Sequence, residues 1–367
     1  MVIPVRLKIR YLRAMQNYII SGIQQVGIGV ADVHKGFNWY NKHFGMDVPI
    51  FEEAAEANLM LPYTGGKPHK RHAILAINMK GGGGFEIWQY TSRTPQACAF
   101  TPQLGDLGLF CAKIKSDNIE ASFDYLKSQS VTLHGSVTNN PAGKKHFFAE
   151  DTFGNLFEII EDEVWFGNGM QHTGGPVGVI IGVSNLDRSI AFYSNLLGYD
   201  KVLFKGEKKF DDLALLPGGE KEVKRAILTH SQPRVGPFSR LFGNSYIELI
   251  EAKNYSPRHI FENRFWGDLG FIHLCFDIKN MLALKTACEN AGHPFTVDGG
   301  AGFEMGEAAG HFTYIEDPDG TLIEFVETKK IPILKKFGWY LDLRKRPPEK
   351  PLPTWMLKAL GMNRKKV

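Results

Sequence analysis

Cysteine is scarce in this chain. The four present, Cys98, Cys111, Cys275 and Cys288, are scattered and form no C-x-x-C pair. Neither a disulfide framework nor a thiolate zinc site is therefore expected, and a reducing cytoplasm is the expected location. No stretch approaches the roughly 18 consecutive apolar residues that a membrane-spanning helix needs. Met1 to Ser21 contains no uninterrupted apolar run of signal-peptide length. A P-loop is also missing: Gly81 to Gly84 is followed by neither Lys-Ser/Thr nor a helical pattern, so it reads as a hairpin turn.

Acidic charge is nearly absent from the end of the chain. From Lys329 to Val367 there are twelve basic residues against Asp342 and Glu349, a net of +10, whereas the whole chain carries +4 and the other 328 residues sum to −6. The acidic body argues against nucleic acid as a partner. The tail, with Trp339, Tyr340 and a short apolar run from Trp355 to Leu360, is suited to pack across its own domains, with contact to an acidic surface or lipid as the alternative.

What the chain does have is repetition. With 367 residues and 43% hydrophobic content it can bury one large core or two ordinary ones. The same unit recurs four times: an apolar strand, an amphipathic helix, and a closing strand with one glutamate among apolar residues. Opening strands begin near Ile23, Leu107, Val177 and Phe271, and the closing glutamates are Glu86, Glu158, Glu248 and Glu324. Units one and three match through their helices. Asp32 and Asn185 are N-caps, Gly45 and Gly198 are the stops, and Val33, Phe37, Tyr40 and Phe44 share one helical face with counterparts Leu186, Ile190, Tyr193 and Leu197. Units two and four match through the turns Asp151-Thr152-Phe153-Gly154 and Asp317-Pro318-Asp319-Gly320. The expected organisation is an extension (1–22), a first two-unit half (23–165), a glycine-rich linker from Gln171 to Pro176, a second half (177–328) and a basic tail (329–367).

Paired βαβββ units with a ligand on the opening strand and a glutamate on the closing strand resemble the vicinal oxygen chelate superfamily. That group includes glyoxalase I, extradiol dioxygenases, methylmalonyl-CoA epimerase and bleomycin-resistance proteins. The resemblance covers about residues 23 to 328. It implies an α+β fold of four βαβββ modules forming two cup-shaped mixed sheets, with a metal held by one position on each first strand and one on each last. Those positions read Gln25 and Glu86 in unit one, Leu109 and Glu158 in unit two, Gly178 and Glu248 in unit three, and His273 and Glu324 in unit four.

Leucine and glycine side chains cannot ligate a metal, so pairing of sequence neighbours leaves two incomplete sets. Pairing unit one with unit four gives Gln25, Glu86, His273 and Glu324, the combination that the resemblance associates with eukaryotic-type glyoxalase I. One divalent ion (Zn, Ni, Co, Mn or Fe) suits these donors. No basic partner is apparent at the flanking strand positions to neutralise the glutamates instead. Structural or solvent-facing roles are expected for Glu158 and Glu248.

The implied activity is a metal-dependent lyase or isomerase acting through an enediolate on a small α-keto or α-hydroxy substrate, with Glu324 as general base, Glu86 as its partner, and Gln25 and His273 as spectator ligands. The alternatives are a non-haem Fe(II) dioxygenase, which would want a histidine where Gln25 stands, and a non-catalytic binding protein. Gly29, Tyr90 and Leu269, near the ligands, cannot grip a carboxylate as arginine does. Glutathione hemithioacetal is therefore not the expected substrate, and Trp88 and Tyr90 point to a more apolar or ring-bearing one. Either a monomer or a homodimer is compatible with these features.

Overall fold

The computed structural model describes residues 17–300, 303–305, 308–334 and 339–366. Most of the expected extension (1–16), together with residues 335–338 and 367 of the tail, lies outside the described residues.

Each of the four sequence units folds as a strand, a helix and a meander. Unit one comprises β1 (Ile19–Gly29), α1 (Val33–Phe44), β2 (Val48–Glu56), β3 (Lys70–Ile77) and β4 (Gly84–Tyr90). Unit two comprises β5 (Gly108–Ser116), α2 (Ile119–Ser128), β6 (Thr132–Asn139), β7 (Lys145–Glu150) and β8 (Leu156–Glu161). Unit three comprises β9 (Pro176–Val183), α3 (Leu186–Asn195), β10 (Lys201–Lys208), β11 (Val223–Thr229), the single turn α4 (Ser239–Phe242) and β12 (Tyr246–Ala252). Unit four comprises β13 (Gly270–Lys279), α5 (Met281–Asn290), β14 (Val297–Asp298), β15 (Phe303–Met305), β16 (Ala308–Glu316) and β17 (Leu322–Leu334).

The local signals explain these elements. The Asp32 carboxylate accepts from the His34 and Lys35 amides, and Gly45 closes α1. Val33, Phe37, Tyr40 and Phe44 are all buried, as their helical spacing requires. In both turns an aspartate folds back on its own backbone: Asp151 accepts from the Phe153 and Asn155 amides, and Asp317 from those of Asp319 and Thr321. The glycines from Gly81 to Gly84 link β3 to β4, with the Gly82 amide donating to the Asn78 carbonyl at 2.8 Å. A Cβ on Gly81 would lie 2.6 Å from the Gly174 Cα and one on Gly82 1.7 Å from the Leu241 carbonyl oxygen, so close backbone crossings demand these residues.

The sheets pair the units from outside in. One sheet runs β14-β16-β17-β13-β1-β4-β3-β2, with β15 and a short β18 (Trp339–Asp342) at its margin, and so joins units one and four. The other runs β10-β11-β12-β9-β5-β8-β7-β6 and joins units two and three. Each seam is antiparallel, β1 against β13 and β5 against β9, while within each unit the opening and closing strands are parallel. The result is the α+β arrangement of two curled, mixed half-barrel sheets.

Strand alternation decides what faces where. On β4, Phe85 and Ile87 join the large apolar core that includes Tyr40, Phe44 and Phe157, while Glu86 and Trp88 point to the other face. Two matching hydrogen bonds tie the sheets together: Tyr40 donates to Asp151 at 2.7 Å and Tyr193 to Asp317 at 2.9 Å. The tail buries Leu343, Leu352 and, on the short helix α5's successor α6 (Thr354–Lys358), Leu357 against Val48, Ile77, Met79, Leu241 and Phe242. It packs across units one and three of its own chain.

Candidate metal centre

The outer sheet brings Gln25, Glu86, His273 and Glu324 to one point. Strand register explains how. On β1 and β4 Gly27 pairs with Glu86, on β13 and β17 Cys275 pairs with Glu324, and across the seam Gly27 faces His273. In each unit the first-strand donor thus lies two residues before the residue that pairs with the closing glutamate.

His273 Nε2 is 3.1 Å from Glu324 Oε2 and 3.4 Å from Glu86 Oε2. The Gln25 side-chain amide donates to Glu324 Oε2 at 3.1 Å. All four residues are buried, and His273 is wholly inaccessible. Two buried atoms here have no hydrogen-bond partner among the described residues: Gln25 Oε1, and His273 Nε2, which is near the carboxylates without being aligned to donate to them. Orphaned lone pairs beside two carboxylates are the mark of a place for a cation, because leaving such groups unpaired costs about 1–3 kcal/mol each. The donor set, one imidazole, one amide oxygen and two carboxylates, fits a divalent metal.

The electrostatics agree. Burial, reinforced by the charge of Glu324, pushes the Glu86 carboxyl up to about 7. Burial alone would raise Glu324 and lower His273, but their mutual attraction outweighs it, holding the carboxylate below its usual range and the imidazole above.

A cavity of about 250 Å³ opens onto Gln25, Glu86 and Glu324, walled by Phe51, Met60, Trp266, Phe312, Tyr314 and Val326. Trp88 and Tyr90, expected near the ligand from their place after Glu86, are buried beneath this wall instead. Trp88 packs on Trp266, and the Tyr90 hydroxyl donates to the Trp266 carbonyl. Arginine is not absent either. Arg71 lines the cavity from β3, bound to the Glu53 carboxylate at 2.8 Å. Sequence proximity to the ligands missed it because β3 is placed beside them only by sheet pairing.

Gly27 is a further essential position that sequence reading passed over. A Cβ there would lie 2.4 Å from His273 Cε1, so the imidazole occupies the space of the missing side chain.

The inner sheet tells the opposite story. The same register rule identifies Cys111, not Leu109, as the counterpart of His273, because Lys113 pairs with Glu158. The sequence held the signal: Asp106-Leu107-Gly108 and Asp268-Leu269-Gly270 superpose Cys111 on His273 and Lys113 on Cys275. Gly178 pairs with Lys113 as Gln25 pairs with Cys275, and Ile180 stands opposite Cys111 where Gly27 faces His273. The expectation that basic partners are absent fails here. The Lys113 ammonium lies between Glu158 and Glu248, bonded to the first and 2.7 Å from the second. His146 reaches Glu158 at 2.7 Å, and Arg225 binds Glu248 at 2.6 Å and Asp212 at 2.7 Å. Glu158 and Glu248 are fully buried rather than solvent-facing. Burial is outweighed by the ammonium, which holds Glu158 well below the usual carboxylate range. A lysine stands where the outer sheet has a gap among donors.

A family model for the Glyoxalase/Bleomycin resistance protein/Dioxygenase superfamily matches residues 22–159 and 169–325. The chain belongs to this superfamily. No curated protein matches it significantly. Among solved structures, a glyoxalase I variant from Zea mays is similar in fold with a TM-score of 0.54 at 15% identity, covering 87% of this chain and 96% of that one. Glyoxalase I from Zea mays itself gives 0.50 at 14% identity, covering 86% and 94%. A Bacillus subtilis protein provisionally named a dioxygenase gives 0.54 at 14% identity, covering 84% and 86%. At these identities the likeness establishes the fold. Members of the superfamily include enzymes of both kinds.

Proposed function

We propose that the chain is a metal-dependent lyase or isomerase of the glyoxalase type, acting on a small α-keto or α-hydroxy compound with neighbouring oxygens. The observation that carries this reading is the convergence of Gln25, Glu86, His273 and Glu324 around two partnerless buried donor atoms. A divalent ion bound there would be held by Gln25 Oε1, His273 Nε2 and the two carboxylates, and would supply Lewis acidity toward vicinal substrate oxygens.

The chain's own groups do the rest. Glu324 would take the proton that leaves carbon, and Glu86, across the same cleft, would hold or return one. Gln25 fixes the orientation of Glu324 through its amide. Trp266, Phe312 and Tyr314 exclude water and favour an apolar or ring-bearing substrate, while the Arg71–Glu53 pair presents a cation at the cavity wall. The dioxygenase reading is weaker because the cavity offers one imidazole where a two-histidine, one-carboxylate iron site needs two.

Metal analysis of purified protein beside the Gln25→Ala and His273→Ala variants tests the reading. Loss of metal in both supports a shared centre, and full retention in both refutes it. Turnover of a panel of α-keto and α-hydroxy compounds by the metal-loaded protein then tests the chemistry.

A further inference from the structure

On the other face of the outer sheet, α1 packs against β3 and β4, and three metal-type side chains meet outside the cup. His34 lies in the first turn of α1, Glu52 on β2 and His72 on β3. His72 Nε2 is 3.3 Å and His34 Nε2 3.8 Å from the same oxygen, Glu52 Oε1. The two rings meet edge to face with centroids 5.1 Å apart. One donor atom from each residue lies within 4.8 Å of the others. None of these residues lines the buried centre, and strand alternation separates them from it: Arg71 and Glu53 face the cup, while His72 and Glu52 face α1.

We propose that His34, Glu52 and His72 form a second, solvent-accessible site for a divalent transition metal of the zinc class. Two imidazoles and a carboxylate are the borderline-soft donor set that zinc takes, with water in the fourth position. Zinc–ligand bonds of about 2.0–2.2 Å place tetrahedral ligands about 3.3–3.6 Å apart. The His72–Glu52 separation already meets this. His34, with its side chain 61% exposed, has the freedom to close the remaining gap by rotation.

A competitor sits at the same carboxylate. Lys365 Nζ is 3.3 Å from Glu52 Oε2, and the end of the tail is held nearby by the Lys365 amide on the Asp47 carbonyl at 2.8 Å and by Arg364 on Asp47 at 2.9 Å. A cation bound at Glu52 repels the ammonium. Metal occupancy and the Lys365 contact therefore oppose each other, and by linkage each weakens the other equally.

The test is zinc titration of the full chain, with bound equivalents counted after equilibrium dialysis. The wild type is expected to bind one more equivalent than the His34→Ala/His72→Ala double variant, and Lys365→Ala to tighten that step several-fold. Gln25→Ala/His273→Ala, which removes the buried centre, should leave the surface equivalent in place, so failure of one site is read separately from failure of the other. Equal zinc stoichiometry in the wild type and the His34→Ala/His72→Ala chain, with both shown folded by circular dichroism, overturns the proposal. Unchanged affinity in Lys365→Ala overturns the coupling.

Discussion

Gln25 and Glu324 are 299 residues apart in the chain and joined by a 3.1 Å hydrogen bond. The amide donates its N–H to the carboxylate and leaves its own oxygen without a partner. That division of labour separates holding a metal from moving a proton. Glu324→Gln keeps a neutral oxygen donor but cannot accept a proton. The variant is expected to retain metal while kcat falls at least ~10²-fold, the scale usual for loss of a general base. Parallel metal analysis and steady-state kinetics decide this, and a variant that turns over at the wild-type rate rules out the base assignment.

Gly27 has no side chain because His273 fills the space. Gly27→Ala should push the imidazole out of line, weakening metal binding ~10-fold or more, as displaced ligand orientation commonly does. The stability loss from overpacking should be about 1–3 kcal/mol. Metal affinity by chelator competition, with chemical denaturation alongside, distinguishes this from simple unfolding.

Lys113 bridges two buried glutamates, Glu158 and Glu248. Lys113→Met removes the ammonium that the two share and leaves Glu158 only His146 and Glu248 only Arg225, at a cost of up to about 3–5 kcal/mol. The metal content of the outer centre should be unchanged. Urea denaturation midpoints and metal analysis of one preparation check both halves of this expectation.

The inner arrangement can be grafted onto the outer sheet, since Cys275 and Gln25 occupy the register positions of Lys113 and Gly178. The double variant Gln25→Gly/Cys275→Lys should place an ammonium between Glu86 and Glu324, abolishing metal binding while keeping cooperative unfolding. Undiminished metal binding in this variant means that the two cups are not interchangeable in this way.

Asp277 is fully buried, and burial pushes its carboxyl up to about 8. In the unfolded chain it titrates near 4. Between about pH 4 and 8 the folded state therefore holds a proton that the unfolded state has lost, and stability falls as pH rises through this window. Asp277→Asn should remove a few kcal/mol of that pH dependence and be relatively more stable at pH 8 than at pH 5. Thermal melts across the range provide the measurement, and parallel profiles for wild type and variant would count against a protonated Asp277.

The sequence alone determined the four-unit repeat and the elements within it, because helix caps, aspartate turns and alternating strands are local: Asp32, Gly45, Asp151 and Asp317 act on residues within a turn of themselves. It also nominated Gln25, Glu86, His273 and Glu324, since a glutamate amid apolar strand residues needs a reason to be buried. Register was harder to see. Leu109 for Cys111 is a two-residue slip across a β-bulge, which moves the side chain to the other face; Leu109, Phe110, Cys111 and Ala112 are all apolar and buried, so no alternation in the sequence marks the bulge. The pairing of units one and four, implied by their donor side chains, is the one the sheet adopts, but only the tertiary structure decided that Arg71 and Trp266 reach the cavity. It alone showed that Lys113 occupies the inner cup and that His34, Glu52 and His72 meet on the opposite face. Each of these depends on which strands lie side by side, and strand pairing is settled by burial summed over the whole chain rather than by any short run of residues.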